Sequence, residues 1–557
     1  MNARPADRLA IALAQLNPVV GDVAGNAGKA RRAWSDARDS GADLVMFPEL
    51  FIGGYPPEDL VLKPSYQAAC RSAVENLARE TAHGPAILIG TPWVADLKLY
   101  NAYLLLAAGR IEALRTKVDL PNTGVFDEKR VFAPGPMPGP IVFKGVRIGI
   151  PICEDIWGAD VVECVAETGG EILLVPNGSP YWREKTDARL NIAVARVTES
   201  GLPLVYLNQV GGQDELTFDG ASFVLNADRT LGAQLPAFRE GLAMTLWRRE
   251  HGSWRCVEGP VEPIEEGEAA DYAAIVLGLR DYVDKNAFPG VVLGLSGGID
   301  SALCAAIAVD ALGADRVRCV MLPSRFTSAS SREDAAAVAA ALGVRLECAP
   351  IDGAVDGLER ALAPLLGGPP REVTGENLQA RVRGTMLMGL SNHSGLMVVT
   401  TGNKSEMSTG YATLYGDMNG GFNPIKDLYK TEVFRLARWR NGARPLGARG
   451  PAGPVIPQRV IDKPPSAELR ENQKDSDSLP PYEVLDAIMR MYMEEDRSLA
   501  EIIAAGYAVD DVKRVTRLIK INEYKRRQAP IGIRVTHRAF GRDWRYPITS
   551  RYTEPVE

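Results

Sequence analysis

Histidine is nearly absent: four residues in 557, so little chemistry in this chain can depend on it. Cysteine is scarce as well. The seven, at 70, 153, 164, 256, 304, 319 and 348, are odd in number and form no C-x-x-C pair. That argues against a disulfide frame or a zinc site and for a reduced, cytoplasmic setting. There is no basic excess either. Lys plus Arg is 63 against 70 for Asp plus Glu, a net charge of −7, which offers no footprint for nucleic acid. No apolar run is long enough for a membrane-spanning helix, so no membrane role is expected. The opening MNARPADRLAIALAQLNPVV lacks a signal-peptide cleavage pattern and reads as the first strand of a folded domain. A nucleotide ligand stays open, because a few local donors can bind phosphates without a basic surface.

What is there is an ordinary globular composition, 46% hydrophobic and 24% charged, in a chain too long for one core. Short β-branched runs such as ILIGTP (87–92), RIGIPIC (147–153), EILLVPN (171–177), VVLGLSGG (291–298) and LMVVTTGN (396–403) alternate with Ala/Arg/Glu-rich stretches of helical period. That alternation predicts an α/β architecture. A boundary fits within 255–270, where an amphipathic helical stretch leads into a new strand, and the domains are taken as 1–262 and 263–557. The segment 441–482 is dense in Gly, Pro and charge, which suits either a linker or a functional loop.

Three segments of the first half carry chemistry. LVMFPEL sets Glu49 just after an apolar strand, KVDLPN sets Lys117 before a proline turn, and GIPICEDIW ends a strand on Cys153. Singly, each has a bland reading, since free cysteine favours cores. Together they supply a nucleophile, a base and a positive charge for an oxyanion, which is what cleavage of an amide needs. This half has only His83 and His251, neither at a recognisable strand end. A carboxylate base is the remaining option, with lysine favouring both the thiolate and the oxyanion.

From about residue 8 to 250 these segments resemble the carbon–nitrogen hydrolase (nitrilase) superfamily, together with LPNTGVFDEKRVF (120–132), VPNGSPYW (175–182) and LNQVGGQDELTFDGAS (207–222). The resemblance implies an α-β-β-α sandwich with Glu49 as base, Lys117 as oxyanion stabiliser and Cys153 as nucleophile. It makes Glu128 an accessory glutamate, and Phe126, Glu154 and Ser179 contacts for glutamine. The glutaminase branch usually has Tyr where this chain has Thr123.

In the second half, VVLGLSGGIDSAL (291–303) runs from a strand through Ser-Gly-Gly-Ile-Asp-Ser into a helical stretch. Gly297 and Gly298 let backbone N–H groups approach an anion, and the following helix adds its positive end. Ser296 and Ser301 supply hydroxyls, and Asp300 can hold Mg²⁺ beside phosphates. No Gly-Lys-Ser/Thr follows, so this is not a Walker loop. It resembles the pyrophosphate loop of enzymes that cleave ATP to AMP and pyrophosphate, on a Rossmann-like parallel sheet. The loop alone does not choose a substrate.

Later segments do. NLQARVRGTML (377–387), TTGNKSEMSTGYATLYGDMNGGFNPIKDLYKTEV (400–433), KPPSAELRENQKDSDSLPPYEVLD (463–486) and EYKRRQAPIGIRVTHRAFGRDWRYPI (523–548) are similar to NAD synthetases. With the amidase half, the whole chain resembles the glutamine-dependent members of that family. The resemblance implies amidation of deamido-NAD with ammonia from glutamine, ATP as co-substrate, Mg²⁺ as cofactor and a homo-oligomer. Thr401 joins the loop residues as an ATP contact, and Arg381, Glu406, Lys430 and Ser466 are expected at deamido-NAD. Glu406 can join Asp300 as a second hard oxygen ligand for Mg²⁺. Asp417, Glu468 and Asp475 are further candidates. The basic run KRRQ (525–528) suits a phosphate contact or a helix cap.

Overall fold

The computed structural model describes residues 6–555 apart from Leu446, Asn472, Lys474, Ser478 and Thr553. The chain divides into two compact units, the first ending at Glu265 and the second beginning at Glu266.

Among the described residues, two large sheets and a two-stranded antiparallel one, Val210–Gln213 with Leu216–Asp219, make the first unit. Of the large sheets, one has seven strands in the order Ser253–Glu258, Gly241–Glu250, Arg8–Gln15, Leu44–Met46, Ala86–Ala95, Lys98–Ala107 and Arg110–Thr116. The other has six, in the order Leu231–Gln234, Phe223–Leu225, Leu204–Asn208, Ile172–Asn177, Val146–Gly149 and Ile141–Phe143. The middle strands of each are parallel and the edges antiparallel. Alternation along a strand decides what each face meets. In Arg8–Gln15, Leu9, Ile11 and Leu13 pack into a core shared with Ile148, Ile172 and Leu174 of the other sheet. Ala12 and Ala14 point the opposite way, toward helices α1 (Val23–Asp39) and α2 (Pro64–Glu80). The second sheet's outer face packs on α3 (Asp160–Glu167) and α4 (Lys185–Ser200) through Leu173, Val175, Val162 and Val197. The layers are helix, sheet, sheet, helix, as expected.

The second unit holds a four-stranded parallel sheet in the order Leu346–Cys348, Val317–Met321, Val291–Gly294, Met397–Val398. Its helices are α5 (Gly267–Lys285), α6 (Ile299–Leu312), α7 (Ala329–Leu342), α8 (Asp352–Leu366), α9 (Val373–Ser394), α10 (Lys404–Thr409), α11 (Lys430–Gly442), α12 (Gln458–Asp462) and α13 (Tyr482–Met493). Three more follow: α14 (Leu499–Ala504), α15 (Val509–Ile521) and α16 (Glu523–Arg526). The chain builds outward from Val291–Gly294 on one side, then returns to add Met397–Val398 on the other. That reversal opens the crevice at the carboxyl ends of those two strands where open α/β sheets bind ligands. Within the segment 441–482, Gln458–Asp462 forms α12, and Val460, residues 463–469 and Asp475 line that crevice, so this part is not a bare linker.

Candidate active sites

Strand ends build the first centre. Glu49 follows Leu44–Met46, Lys117 follows Arg110–Thr116, Cys153 follows Val146–Gly149, and Gly178 and Ser179 follow Ile172–Asn177. The turn carrying Glu49 lies hard against the strand Ala86–Ala95. A Cβ at Gly90 would sit 2.2 Å from the Leu50 nitrogen and 2.8 Å from the Glu49 carbonyl carbon, so only glycine admits this approach.

Lys117, fully buried, donates from Nζ to Glu49 Oε1 and Glu128 Oε1, each at 2.8 Å. Glu49 is held further by Asn101 Nδ2 at 2.7 Å and by the Gly178 amide at 2.8 Å. Tyr55 donates to Glu128 Oε1 at 2.7 Å. Burial alone would strip the lysine of its proton, yet Glu128, Glu49 and Cys153 together push its pKa well above the ordinary value. Cys153 is buried and has φ of +48°, a conformation that costs a non-glycine residue roughly 1–3 kcal/mol. Burial raises its thiol well above the usual range, and Glu49 pushes it the same way while Lys117 pulls it down. The resting group is therefore a thiol that needs a base, and Glu49 and Lys117 are the charges acting most strongly on it.

The expected glutamine contacts divide. Glu154 is half-buried beside Cys153, its pKa raised by burial and drawn down by Lys117 and Lys185. Ser179 is buried and committed: its amide donates to Asn208 Oδ1 at 2.9 Å and its hydroxyl accepts from Arg189 Nε at 3.1 Å. Arg189 in turn donates from Nη1 to both carboxylate oxygens of the buried Asp219, at 2.8 and 2.7 Å. Phe126 is half-buried against the core below α2, and Thr123 is exposed. Lys185 is the residue that sequence reasoning missed. Its ammonium lies 4.1 Å from the Trp157 ring centre and within the field of Glu154. The Trp157 in CEDIW was a visible signal; its cation partner 28 residues on was not.

The second centre is a cavity of ≈ 310 Å³ at the carboxyl ends of Val291–Gly294 and Met397–Val398. Its floor is the Ser296–Ser301 loop. Gly297 has φ of +88°, and a Cβ there would lie 2.2 Å from the Ser331 carbonyl oxygen, so the turn demands glycine twice over. Ser296 and Ser301 share a hydroxyl–hydroxyl contact of 3.1 Å, and the Gly298 amide donates to Ser296 Oγ at 3.2 Å. Gly298 caps α6, whose positive end therefore faces the cavity.

Asp300, in the first turn of α6, accepts from Asn403 Nδ2 at 2.9 Å and pairs with Lys430 Nζ, which also lies 3.7 Å from Glu406 Oε1. Asn403 caps α10 and exchanges hydrogen bonds with Glu406, so the glutamate's place is set by its own helix start. Burial, then Asp300, push the Glu406 carboxyl up to about 8 against the pull of Lys430. One lysine therefore does not offset two carboxylates here, and Glu406 keeps its proton up to about pH 8. Among the described residues no cluster of three His, Cys, Asp or Glu side chains could hold a metal alone. A cation here would take further ligands from phosphates and water, which is the habit of Mg²⁺, so the donor set fits that ion.

Thr401, Ser466, Asp417, Glu468 and Asp475 line the same cavity. Burial raises Asp417 to about 6. Glu468 accepts from Ser328 Oγ and Ser331 Oγ at 2.9 and 2.7 Å, and Asp475 accepts from Tyr482 at 2.8 Å. Arg381 lies outside the cavity lining. It is exposed and donates to the Leu414 carbonyl at 3.2 Å. The face of α9 turned to the cavity is Ala380, Arg383, Gly384 and Leu387, a helical spacing from which position 381 is rotated away. The cation on that face is Arg383. The KRRQ run is also resolved: Lys525 donates to the Gly410 and Ala412 carbonyls and Arg526 to that of Ser408, capping the end of α10.

Known proteins match this arrangement half by half and as a whole. The carbon–nitrogen hydrolase family matches residues 10–254 and the NAD synthase family residues 271–529. The glutamine-dependent NAD(+) synthetase of Rhodobacter capsulatus is 52% identical over 98% of this chain and 99% of its own. That of Thermotoga maritima is 42% identical over 99% and 100%. The solved structure of the glutamine-dependent NAD+ synthetase from Acinetobacter baumannii, in complex with ADP, is 43% identical and covers 98% of this chain and 100% of that one, with a TM-score of 0.77. With both centres and both domain families in one chain, and relatives of this identity along its length, the chain belongs to the glutamine-dependent NAD(+) synthetases.

Proposed function

We propose that this protein hydrolyses glutamine in its first half, 1–262, and uses the ammonia in its second, 263–557, to amidate deamido-NAD to NAD at the expense of ATP. The observation that carries the first step is the buried Lys117 held at 2.8 Å by two carboxylates beside a strained cysteine. Glu49 takes the Cys153 proton as sulfur attacks the side-chain amide carbon. The Lys117 ammonium stabilises the oxyanion, and Glu49 returns the proton to nitrogen as ammonia leaves. Water then cleaves the glutamyl thioester, with Glu49 again as base. Glu154 and Lys185 are opposite charges suited to the α-amino and α-carboxylate groups of a free amino acid.

In the second half the glycine loop, Ser296, Ser301 and Thr401 bind ATP phosphates, while Arg381, Glu406, Lys430 and Ser466 contact deamido-NAD, with Arg383 lining the same cavity. The substrate carboxylate attacks the α-phosphorus and pyrophosphate leaves, giving an acyl-adenylate. Ammonia displaces AMP from the acyl carbon. Asp300 and Glu406 would hold Mg²⁺, which supplies positive charge against the leaving pyrophosphate. Lys430 carries a proton throughout, since Asp300 and Glu406 raise its pKa despite burial. A homo-oligomer in the cytoplasm belongs to the same reading.

The test is NAD formation from deamido-NAD and ATP with glutamine or with ammonium as donor. NAD and AMP in equal amounts with either donor are expected. Glutamate release without any AMP would overturn the synthetase role.

A further inference from the structure

The LPPYEVLD end of the segment 463–486 opens α13 and has no part in the steps above. Helix α13 packs one side into the core of α14 and α15 through Leu485, Ile488 and Met489. A polar series, Tyr482, Asp486, Arg490 and Glu494, recurs at a spacing of four, which keeps neighbours on one face. Every member reaches the second centre's frame. Tyr482 donates to Asp475, and its ring lies 5.5 Å from the Lys430 ammonium. Arg490 is 3.3 Å from Glu432, the residue that closes the capping box of α11. Glu494 pairs with Lys404 at 3.0 Å and accepts from Tyr429 at 2.7 Å.

Asp486 is the most committed of the four. Only 2% exposed, it accepts from Ser405 Oγ at 2.6 Å with one oxygen and from the Thr431 amide at 2.9 Å with the other. Ser405 Oγ in turn accepts from the Lys430 amide at 2.9 Å. One carboxylate therefore ties the first turn of α10, which carries Glu406, to the first turn of α11, which carries Lys430. Burial raises its carboxyl above the usual range, so a buried acid is kept here at a cost, although an apolar residue would suit the core beside it.

We propose that Asp486 is a positioning residue: by clamping the starts of α10 and α11 together it holds the Lys430 ammonium between Asp300 and Glu406. The proposal rests on the synthetase reading of that centre. Asp486→Asn is nearly isosteric. It can still accept from Ser405, but turned that way its amide nitrogen faces the Thr431 N–H, two donors in opposition, so the clamp opens at one end. Ser405→Ala opens it at the other with a smaller change.

The experiment combines pulse acylation of lysines, read by mass spectrometry on the full-length protein, with ammonium-driven NAD synthesis. Lys430 should acylate at least about fivefold faster in both variants. Lys404, whose ammonium is held by Glu494, Asp427, Thr536 and Arg538 and not by Asp486, should keep its rate. kcat should fall about tenfold, equivalent to ~1.4 kcal/mol of barrier. KM for ATP should stay within about twofold, because the hydrogen bonds of the Ser296–Ser301 loop do not involve Asp486. Unchanged Lys430 acylation, or equal acceleration of Lys404, would overturn the clamp, the latter by showing general loosening. If the unaltered protein makes no NAD, the synthetase reading falls, while the acylation pattern still decides the role of Asp486.

Discussion

Each half of the molecule places a buried lysine between two carboxylates, and the two arrangements are not alike. Lys117 is balanced, 2.8 Å from Glu49 and 2.8 Å from Glu128, with hydroxyl, amide and backbone donors filling in around it. Lys430 is lopsided, tight against Asp300 and 3.7 Å from Glu406. In the first centre the positive charge is resident, which suits the single oxyanion of the proposed amide cleavage. In the second, Glu406 is left partly uncompensated beside Asp300 and Asp475. Ionising Glu406 there costs stability in the empty protein, and a divalent cation arriving with phosphates would offset that cost.

The largest effect expected separates the halves outright. Cys153→Ala should abolish glutamine-driven NAD synthesis and leave ammonium-driven synthesis intact; loss of both in a folded protein would remove Cys153 from its role. Asp300→Asn takes the charge from the second centre only. Synthesis with either donor should fall on the order of 10²-fold or more, as for removal of a transition-state electrostatic contact, while glutamine hydrolysis persists. Normal ammonium-driven turnover would contradict the assignment.

Glu128→Gln sharpens the contrast by making the balanced lysine lopsided. Lys117 keeps Glu49 but loses one charged partner, and ammonia release from glutamine should drop about tenfold, the equivalent of a charge-assisted hydrogen bond of ~1.5 kcal/mol. An unchanged rate would mean that Glu49 alone sets the lysine.

The smallest effect concerns the ionisation of Glu406. Glu406 titrates near 8 in the folded state against an ordinary value of 4.5. A raised acid pKa means that the folded form prefers the protonated group. The ligand-free protein therefore loses stability as pH climbs from about 4.5 to about 8 and loses no more from this source above it. Glu406→Gln removes that loss. Its melting midpoint should exceed the parent's at pH 8.5, by roughly 2–4 °C per kcal/mol, and the gap should close toward pH 4.5. A gap that ignores pH would show that Glu406 is already compensated.

Much of this was legible in residue order because catalytic groups sit at the ends of apolar strands. Glu49, Cys153, the Ser296–Ser301 loop and Thr401 follow runs whose strand character is plain, and the structure puts each at a strand's carboxyl end; Lys117, legible only as preceding a proline turn, follows the strand Arg110–Thr116. Helical positions were harder. Arg381 and Arg383 differ by two residues in one basic stretch, and which of them faces the cavity depends on the rotation of α9. Lys185 and Asp486 carried no local signal, since a lysine opening a helix and an aspartate inside one are commonplace until their neighbours are known.

The sequence by itself determined the chemical inventory: a thiol, a carboxylate and an ammonium for amide cleavage, and a glycine-rich anion loop with an acid behind it. It also showed strands alternating with helices, while the layer pattern was legible only through the resemblance to carbon–nitrogen hydrolases. Tertiary structure alone decided which charges meet. Lys117 finds Glu49 68 residues away, and Lys430 finds Asp300 130 residues away. Whether such a lysine is shared evenly or unevenly depends on differences of an ångström between strand and helix ends. Those are fixed by packing around Gly90, by the cap at Asn403 and by the carboxylate of Asp486, and distance along the chain carries no trace of them.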